Sequence, residues 1–371
     1  MVGTACSYLS YLAIRRHISQ NSFTERNLKE TWLKSIPFVA SSSDEVPRLL
    51  RVRRLSVSYA SGSSSPVMAL RQLDLEIAKG EVVGILGESG CGKSTLALSM
   101  LGLLPAHAKV EGSMLFRNEE LLGLPEKQLR RIRGARIALI HQEPGLALSP
   151  VMRVGDQIAE VILAHSTLTR KARKQEVESI LREVHLADIG RIYAAYPHQL
   201  SGGELHRVAI AQAVACQPEL IIADEPTRSL DVTVQGEILG VLRNLNQTFG
   251  TAILFITHNP ALLAGFADRV AVMYAGRVVE NGGGSKVFGR PLHPYTKGLL
   301  ELVPRSTRAE CSAGGGRLPA IPGGPPDLKS PNHGCAFEPR CSRRTEICRI
   351  ENPEELTPEA GHRVSCFNHD S

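Results

Sequence analysis

The stretch EVVGILGESGCGKST, residues 81–95, constrains this chain more tightly than any other. Its first half, 81–87, is a short apolar run without polar alternation, which suits a strand buried on both faces. Its second half matches G-x-x-x-x-G-K-[ST] and runs into KSTLALSMLGLL, a helical pattern. A glycine-rich turn between buried strand and helix is the setting in which this motif holds phosphate. The glycines let backbone N–H groups converge on phosphate oxygens, and the helix N-terminus adds favourable dipole charge. Gly87, Glu88, Ser89, Gly90, Cys91, Gly92, Lys93, Ser94 and Thr95 are therefore candidate nucleotide-binding residues. Lys93 is expected to reach the β- and γ-phosphates of the nucleotide, and Ser94 to ligate Mg²⁺.

Further strands and helices surround that loop. PELIIADEP and TAILFITHN read as two more buried strands, each closing on polar residues. Residues 155–190 read as helices, with i, i+3, i+4 spacing in GDQIAEVILAHS and KQEVESILREVHLADIG. Strands alternating with helices predict a mainly parallel sheet with ligands at its carboxyl ends. Upstream, LLRVRRLSVSYA is followed by a Gly/Ser loop, SGSSSP. Then LRQLDLEIAKG alternates Leu73, Leu75 and Ile77 with Asp74 and Glu76, as a half-buried strand does. Residues 1–48 lack a convincing apolar repeat and are expected to form a poorly ordered extension, with a candidate amphipathic helix at 24–36. From about residue 283 the texture turns to Gly, Pro and Cys, marking an appendage.

With 371 residues, 43% hydrophobic and 22% charged, the chain can bury a sizeable core. The net charge of +6 is mild, and no Lys/Arg block is dense enough to argue for nucleic acid. No window of 18 apolar residues exists to span a bilayer, and the N-terminal MVGTACSYLSYLAIRR lacks the basic start of a signal peptide. A cytosolic chain is expected, in which the eight cysteines are free thiols or metal ligands.

Two more stretches carry chemistry. In LIIADE, Asp224 closes an apolar strand and is placed to hold Mg²⁺ through water, with Glu225 beside it to polarise an attacking water. In LSGGE, Ser201 is set to cap a helix while Gly202 and Gly203 expose backbone N–H groups, a second anion-binding geometry. One chain needs no second cradle for one nucleotide. Two chains do, if each offers its second cradle to the other's ATP.

With these elements in order, residues 50–285 resemble the ATP-binding subunits of ABC transporters. The resemblance implies an α/β fold: an ABC-type P-loop ATPase core, a mainly parallel sheet flanked by helices. An N-terminal antiparallel β subdomain, a helical subdomain at about 150–205 and a Cys-containing C-terminal appendage complete it. It further implies that Tyr59 stacks on adenine and that Gln142 touches Mg²⁺ and the membrane partner. Asp231, in Ser229-Leu230-Asp231, would cross the dimer, and His258 would sense the γ-phosphate. Three positions depart from the usual pattern. Glu204 and His206 stand where glutamines are common, and Arg228 where a small or neutral residue is usual. Glu204 adds negative charge near a triphosphate but lies beyond the direct contacts, so activity is expected to persist; Arg228 has no account at this level.

Past residue 285, VFGRPLHPYTKGLLELVPR, LPAIPGGPPDL, GCAFEPRC and GHRVSC are similar to the ATPases of oligopeptide/dipeptide importers. Domains at 49–285 and 286–371 follow. The tail holds Cys335, Cys341, Cys348 and Cys366 without paired C-x-x-C spacing. The resemblance favours a [4Fe–4S] cluster on these four, with structural zinc or free thiols as alternatives. Cys6, Cys91, Cys216 and Cys311 are bystanders.

The implied protein is an ATPase at the cytoplasmic face of the cell membrane, a peripheral subunit. Its implied partners are a related ATPase in a heterodimer, two membrane permeases and, indirectly, a solute-binding protein. The transported solute is not readable here. The alternative, a soluble ABC ATPase acting on nucleic acid or ribosomes, would need a coiled-coil insertion or a duplicated cassette, and neither is present. A regulatory module that does not hydrolyse is opposed by intact Lys93, Asp224, Glu225 and His258.

Overall fold

The computed structural model describes residues 48–61, 64–302, 321–326, 328 and 334–369. Of the extension expected at 1–48, residues 1–47 lie outside the described residues, as do the helix expected at 24–36, Cys6 and Cys311, while Arg48 is already strand, paired with Ala78.

Two sheets organise the chain. β1 (Arg48–Ser61), β2 (Ser64–Ala78), β4 (Ala108–Phe116) and β5 (Glu119–Glu120) form an antiparallel sheet in the order β2-β1-β4-β5. In β1 the inward residues Leu50, Val52, Leu55 and Val57 break strict alternation between Val52 and Leu55. A bulge there, with Arg54 at φ 47°, takes up the extra residue and returns Leu55 to the core. Ser61 pairs with Ser64, so most of the expected SGSSSP loop is strand.

The second sheet has eight strands in the order β11-β12-β10-β9-β3-β8-β7-β6. β3 (Val82–Leu86), β6 (Ile137–Ile140), β7 (Leu220–Asp224), β8 (Ala252–Thr257) and β9 (Arg269–Tyr274) run parallel. β10 (Arg277–Gly283), β11 (Leu356–Glu359) and β12 (His362–Val364) continue the sheet antiparallel. Of the tail, then, β12 is hydrogen-bonded into the same sheet as the phosphate loop's strand.

Both faces of β3, β7 and β8 are covered, which is why their sequences show no alternation. Val83 and Ile85 face a core shared with Leu55, Leu73 and the helix α1 (Lys93–Met100), through Leu96 and Met100. Val82 and Leu86 face the opposite core, where Ile221, Ala223 and Phe255 meet helices. Those helices include α4 (Val154–His165), α5 (Arg170–Glu183), α7 (Gly202–Val214) and α8 (Val232–Phe249). They follow α2 (Glu126–Ile132) and α3 (Pro144–Ala147), and α6 (Ile189–Ala194) lies among them in sequence. α1 ends at Met100, short of the full KSTLALSMLGLL pattern, because the chain turns through Gly102 at φ 60°.

Candidate functional site

Parallel register brings the chemistry together. Leu86 lies opposite Thr257 and Asp224 opposite Ile256. Gly87, Glu225 and His258 therefore leave three neighbouring strands at one edge of the sheet, where ligands of such sheets bind. An open cavity of about 260 Å³ at that edge is lined by Ser89, Gly90, Gly92, Lys93, Ser94, Thr95, Gln142, Glu225 and Arg228, with Ala69.

The loop's shape depends on glycine where the backbone turns over. Gly92, the residue before α1, has φ 105°, and a Cβ there would lie 2.5 Å from the Ala69 carbonyl oxygen. Lys93 is buried and its Nζ donates to the carbonyls of Gly87 at 2.7 Å and Glu88 at 2.9 Å. Burial raises the Asp224 carboxyl above the usual range, against a hydrogen bond from the Ser94 hydroxyl. A desolvated carboxylate and a hydroxyl are oxygen donors of the kind a hard cation such as Mg²⁺ takes, and Gln142 lines the same cavity as Ser94.

Glu225 sits in the left-handed region at φ 46°, held by its N–H donating to the Ile256 carbonyl at 2.9 Å. Such backbone strain clusters at functional positions. Its Oε1 lies 3.0 Å from His258 Nδ1, while its buried Oε2 has no hydrogen-bond partner. One carboxylate oxygen is oriented and the other is free to accept a proton. Arg228, unexplained from sequence, reaches both sides of this site. Its Nη1 is 3.7 Å from Glu225 Oε2, and its guanidinium faces the Gln142 amide, whose oxygen accepts from Nε at 3.2 Å when the amide is oriented to satisfy both groups. Tyr59 donates to Thr95 Oγ1 at 3.3 Å, which sets its ring beside the start of α1.

The second cradle is built as a helix cap. Ser201 Oγ accepts from the Glu204 N–H at 3.3 Å, and Glu204 Oε2 accepts from the Ser201 N–H at 2.9 Å. Glu204 is thus the reciprocal member of a capping box. The Ser201 N–H foremost, aided by Arg191, holds its carboxyl below the usual range. The ion pair with Arg191 offsets the charge that distinguishes this position. His206 Nδ1 lies 2.9 Å from the Gly202 carbonyl oxygen. Asp231 caps α8 through the Val234 N–H at 3.0 Å. None of Ser201, Gly202, Gly203 and Asp231 lines the cavity that holds Lys93.

Comparison with known proteins agrees with this geometry. A family model described as ABC transporter matches residues 70–228, and one described as oligopeptide/dipeptide transporter, C-terminal region, matches 279–348. The dipeptide transport ATP-binding protein DppD of Bacillus subtilis (strain 168) is 43% identical over 325 residues, 87% of this chain and 95% of that protein. The oligopeptide transport ATP-binding protein OppD of Escherichia coli (strain K12) is 41% identical over 334 residues, 90% and 96% of the two chains. The chain belongs to the family of ATP-binding proteins of oligopeptide/dipeptide ABC transporters. It is an ABC-type ATPase. Among solved structures, the dimeric ABC transporter cassette MJ0796 covers 63% of this chain and 98% of its own, at 28% identity and a TM-score of 0.57. A post-hydrolysis form of MJ0796 bound to ADP and Pi gives the same values. No helix among the described residues is long and apolar enough to cross a membrane.

In this ABC-type ATPase the C-terminal cysteines converge. Cys335, Cys341, Cys348 and Cys366 line one small cavity together with His293 and Phe337. Burial pushes the Cys335 and Cys341 thiols up, and Cys366 up to about 11. As arranged, no group of three or more His, Cys, Asp or Glu among the described residues forms a closed metal-ligand set. Cys91 is buried and its thiol raised by burial; Cys216 is raised to about 11 for the same reason.

Proposed function

We propose that this chain is the ATP-hydrolysing subunit that powers import of peptides, or of a related small solute, through separate membrane permeases. The observation carrying this reading is the split between the two cradles. The cavity around Lys93 gathers the loop, Gln142 and Glu225, whereas Ser201, Gly202 and Gly203 stand outside it on their own capped helix. A second chain, a related ATPase in our reading, brings its own copy of that cap to this chain's ATP. The two close head to tail around two nucleotides.

Within each site Lys93 binds the β- and γ-phosphates and Tyr59 packs on adenine. Ser94, Gln142 and, through water, Asp224 would hold Mg²⁺, which supplies neutralisation of phosphate charge. Glu225 takes the proton of the attacking water through the oxygen that His258 leaves free, and His258 stands near the γ-phosphate. Ser201, Gly202 and Gly203 meet the partner's phosphates through backbone N–H groups, and Asp231 lies at the same junction. Catalysis here is positioning and charge stabilisation, with no covalent intermediate on the protein. Closure moves the Gln142 segment and the helices of about 150–205, and that motion drives the permeases. The chain then works as a peripheral subunit at the cytoplasmic face of the membrane, with a solute-binding protein acting on the permeases from the other side. A domain boundary near 285 and an N-terminal extension before Arg48 accompany this reading.

For the tail, four thiols around one cavity support a [4Fe–4S] cluster on Cys335, Cys341, Cys348 and Cys366. Iron and acid-labile sulfide measured on protein purified without oxygen decide it: iron-free, colourless protein removes the cluster.

The test of the main reading is reconstitution with a pair of oligopeptide/dipeptide-type permeases and a solute-binding protein from the same organism. Peptide uptake that requires ATP and disappears with Lys93→Ala supports it; ATP hydrolysis that proceeds with no dependence on permeases or solute opposes it.

A further inference from the structure

The second residue of the phosphate loop is gripped from the far end of the chain. Arg340 donates through Nη1 to Glu88 Oε2 at 2.7 Å and through Nη2 to Oε1 at 3.0 Å, a bidentate pair. The Glu88 N–H donates to the Tyr295 hydroxyl at 2.9 Å. The Glu88 carbonyl, with that of Gly87, accepts from Lys93. Side chain, amide and carbonyl of this one residue are all engaged.

The groups that hold Glu88 are themselves held. Arg340 is buried in a 3-10 turn, Glu338–Arg340, and its Nε donates to the Pro322 carbonyl at 2.9 Å. Its guanidinium lies 5.8 Å from the Tyr274 ring centre and 6.0 Å from that of Phe337. Tyr274, Tyr295 and Phe337 pack on one another with ring centres 4.6 to 5.4 Å apart, all nearly inaccessible to solvent. Tyr295 lies in the helix Pro294–Glu301, which follows the helix Gly284–Gly289. A buried arginine with this many fixed contacts is a rigid anchor, and the glutamate it holds in two places cannot swivel freely.

We propose that Arg340 is a positioning residue for nucleotide binding: with Tyr295 it fixes Glu88, and so presets the loop that receives the ATP phosphates. The tail thereby acts on the ATP site without touching nucleotide. Loosening Glu88 releases the Gly87 and Glu88 carbonyls that orient the Lys93 ammonium, so the loop must be ordered at the moment of binding. That cost appears in affinity for ATP, before the chemical step. The proposal rests on the reading of residues 87–95 as the ATP phosphate loop.

The experiment compares full-length wild type with Arg340→Met, Arg340→Lys, Glu88→Gln, the Glu88→Gln/Arg340→Met double variant and Tyr295→Phe. It measures Kd for a fluorescent ATP analogue, KM and kcat for ATP, and thermal unfolding. Arg340→Met is expected to raise Kd and KM about tenfold, the order seen when a supporting partner behind a binding group is lost. The kcat should stay within about twofold, the pattern of lost uniform binding. Arg340→Lys, which keeps the charge without the fork, should fall between. The double variant should be no worse than Arg340→Met, because contacting residues do not add. Should Arg340→Met not fold, Tyr295→Phe removes only the hydroxyl on Glu88 and is expected to raise Kd in the same direction. Variants that bind ATP as wild type does, or single effects that add in the double, overturn the proposal alone. Wild-type protein that binds no ATP overturns the reading of the loop, and this proposal with it.

Discussion

His258 Nδ1 lies 3.0 Å from Glu225 Oε1, and the partner oxygen Oε2 of the same carboxylate is buried with no hydrogen bond. The histidine follows β8 and the glutamate follows β7, so the pair is set by the register of two parallel strands. The arrangement separates two tasks: one oxygen fixes the carboxylate plane and the other is available to a water proton.

Glu225→Gln keeps the shape and removes the base. ATP binding should be retained while phosphate release falls by about 10²- to 10⁴-fold, the range that general bases contribute. His258→Ala should also lower kcat with ATP affinity preserved, but less steeply, because the carboxylate remains. Equilibrium binding of an ATP analogue beside steady-state phosphate release checks both; unchanged turnover in Glu225→Gln would overturn the assignment.

Glu204 is expected to tolerate glutamine. Glutamine can close the same capping box, and the exposed ion pair with Arg191 is worth little on its own. Thermal unfolding of Glu204→Gln should match wild type within about 0.5 kcal/mol. Glu204→Ala loses the box and should cost about 1 kcal/mol. A larger loss in the glutamine variant would show that the charge itself supports the helix.

How much of this was readable in advance follows the range of each interaction. The loop from Gly87 to Thr95 and the Asp224–Glu225 pair are local patterns beside buried strands, and they fold where their sequences point. Arg228 resisted explanation because its partner Gln142 arrives from another strand end. The bulge at Arg54 and the pairing of β12 with β10 leave no periodic trace. Least readable is Arg340, whose carboxylate partner Glu88 lies 252 residues away. No spacing rule connects such a pair; the packing of Tyr274, Tyr295 and Phe337 beside Arg340 does.

His293 predicts a component of acid sensitivity. Complete burial pushes its imidazole from 6.5 down to about 3, and its Nδ1 accepts the Tyr295 N–H at 3.0 Å. The folded value lies below the unfolded one, so protons favour the unfolded chain. Its stabilisation is full above 6.5 and is lost as the pH falls through that window toward about 3. The loss is at most about 1.4 kcal/mol per pH unit. His293→Asn keeps an acceptor for the cap and does not titrate. Urea unfolding at about pH 7.5 and about pH 5.5 should show a smaller acid loss in the variant; equal losses would remove His293 as the cause.

The most direct measurement is the rate of ATP hydrolysis per chain as the concentration of this chain mixed with its related ATPase rises, for wild type beside Ser201→Arg, with ATP-analogue binding followed on the same samples. The composite site predicts that the wild-type rate climbs with concentration while the Ser201→Arg rate lags behind it, both binding the analogue equally only at the dilute limit. Full-speed hydrolysis that is flat with concentration and indifferent to Ser201→Arg would contradict it.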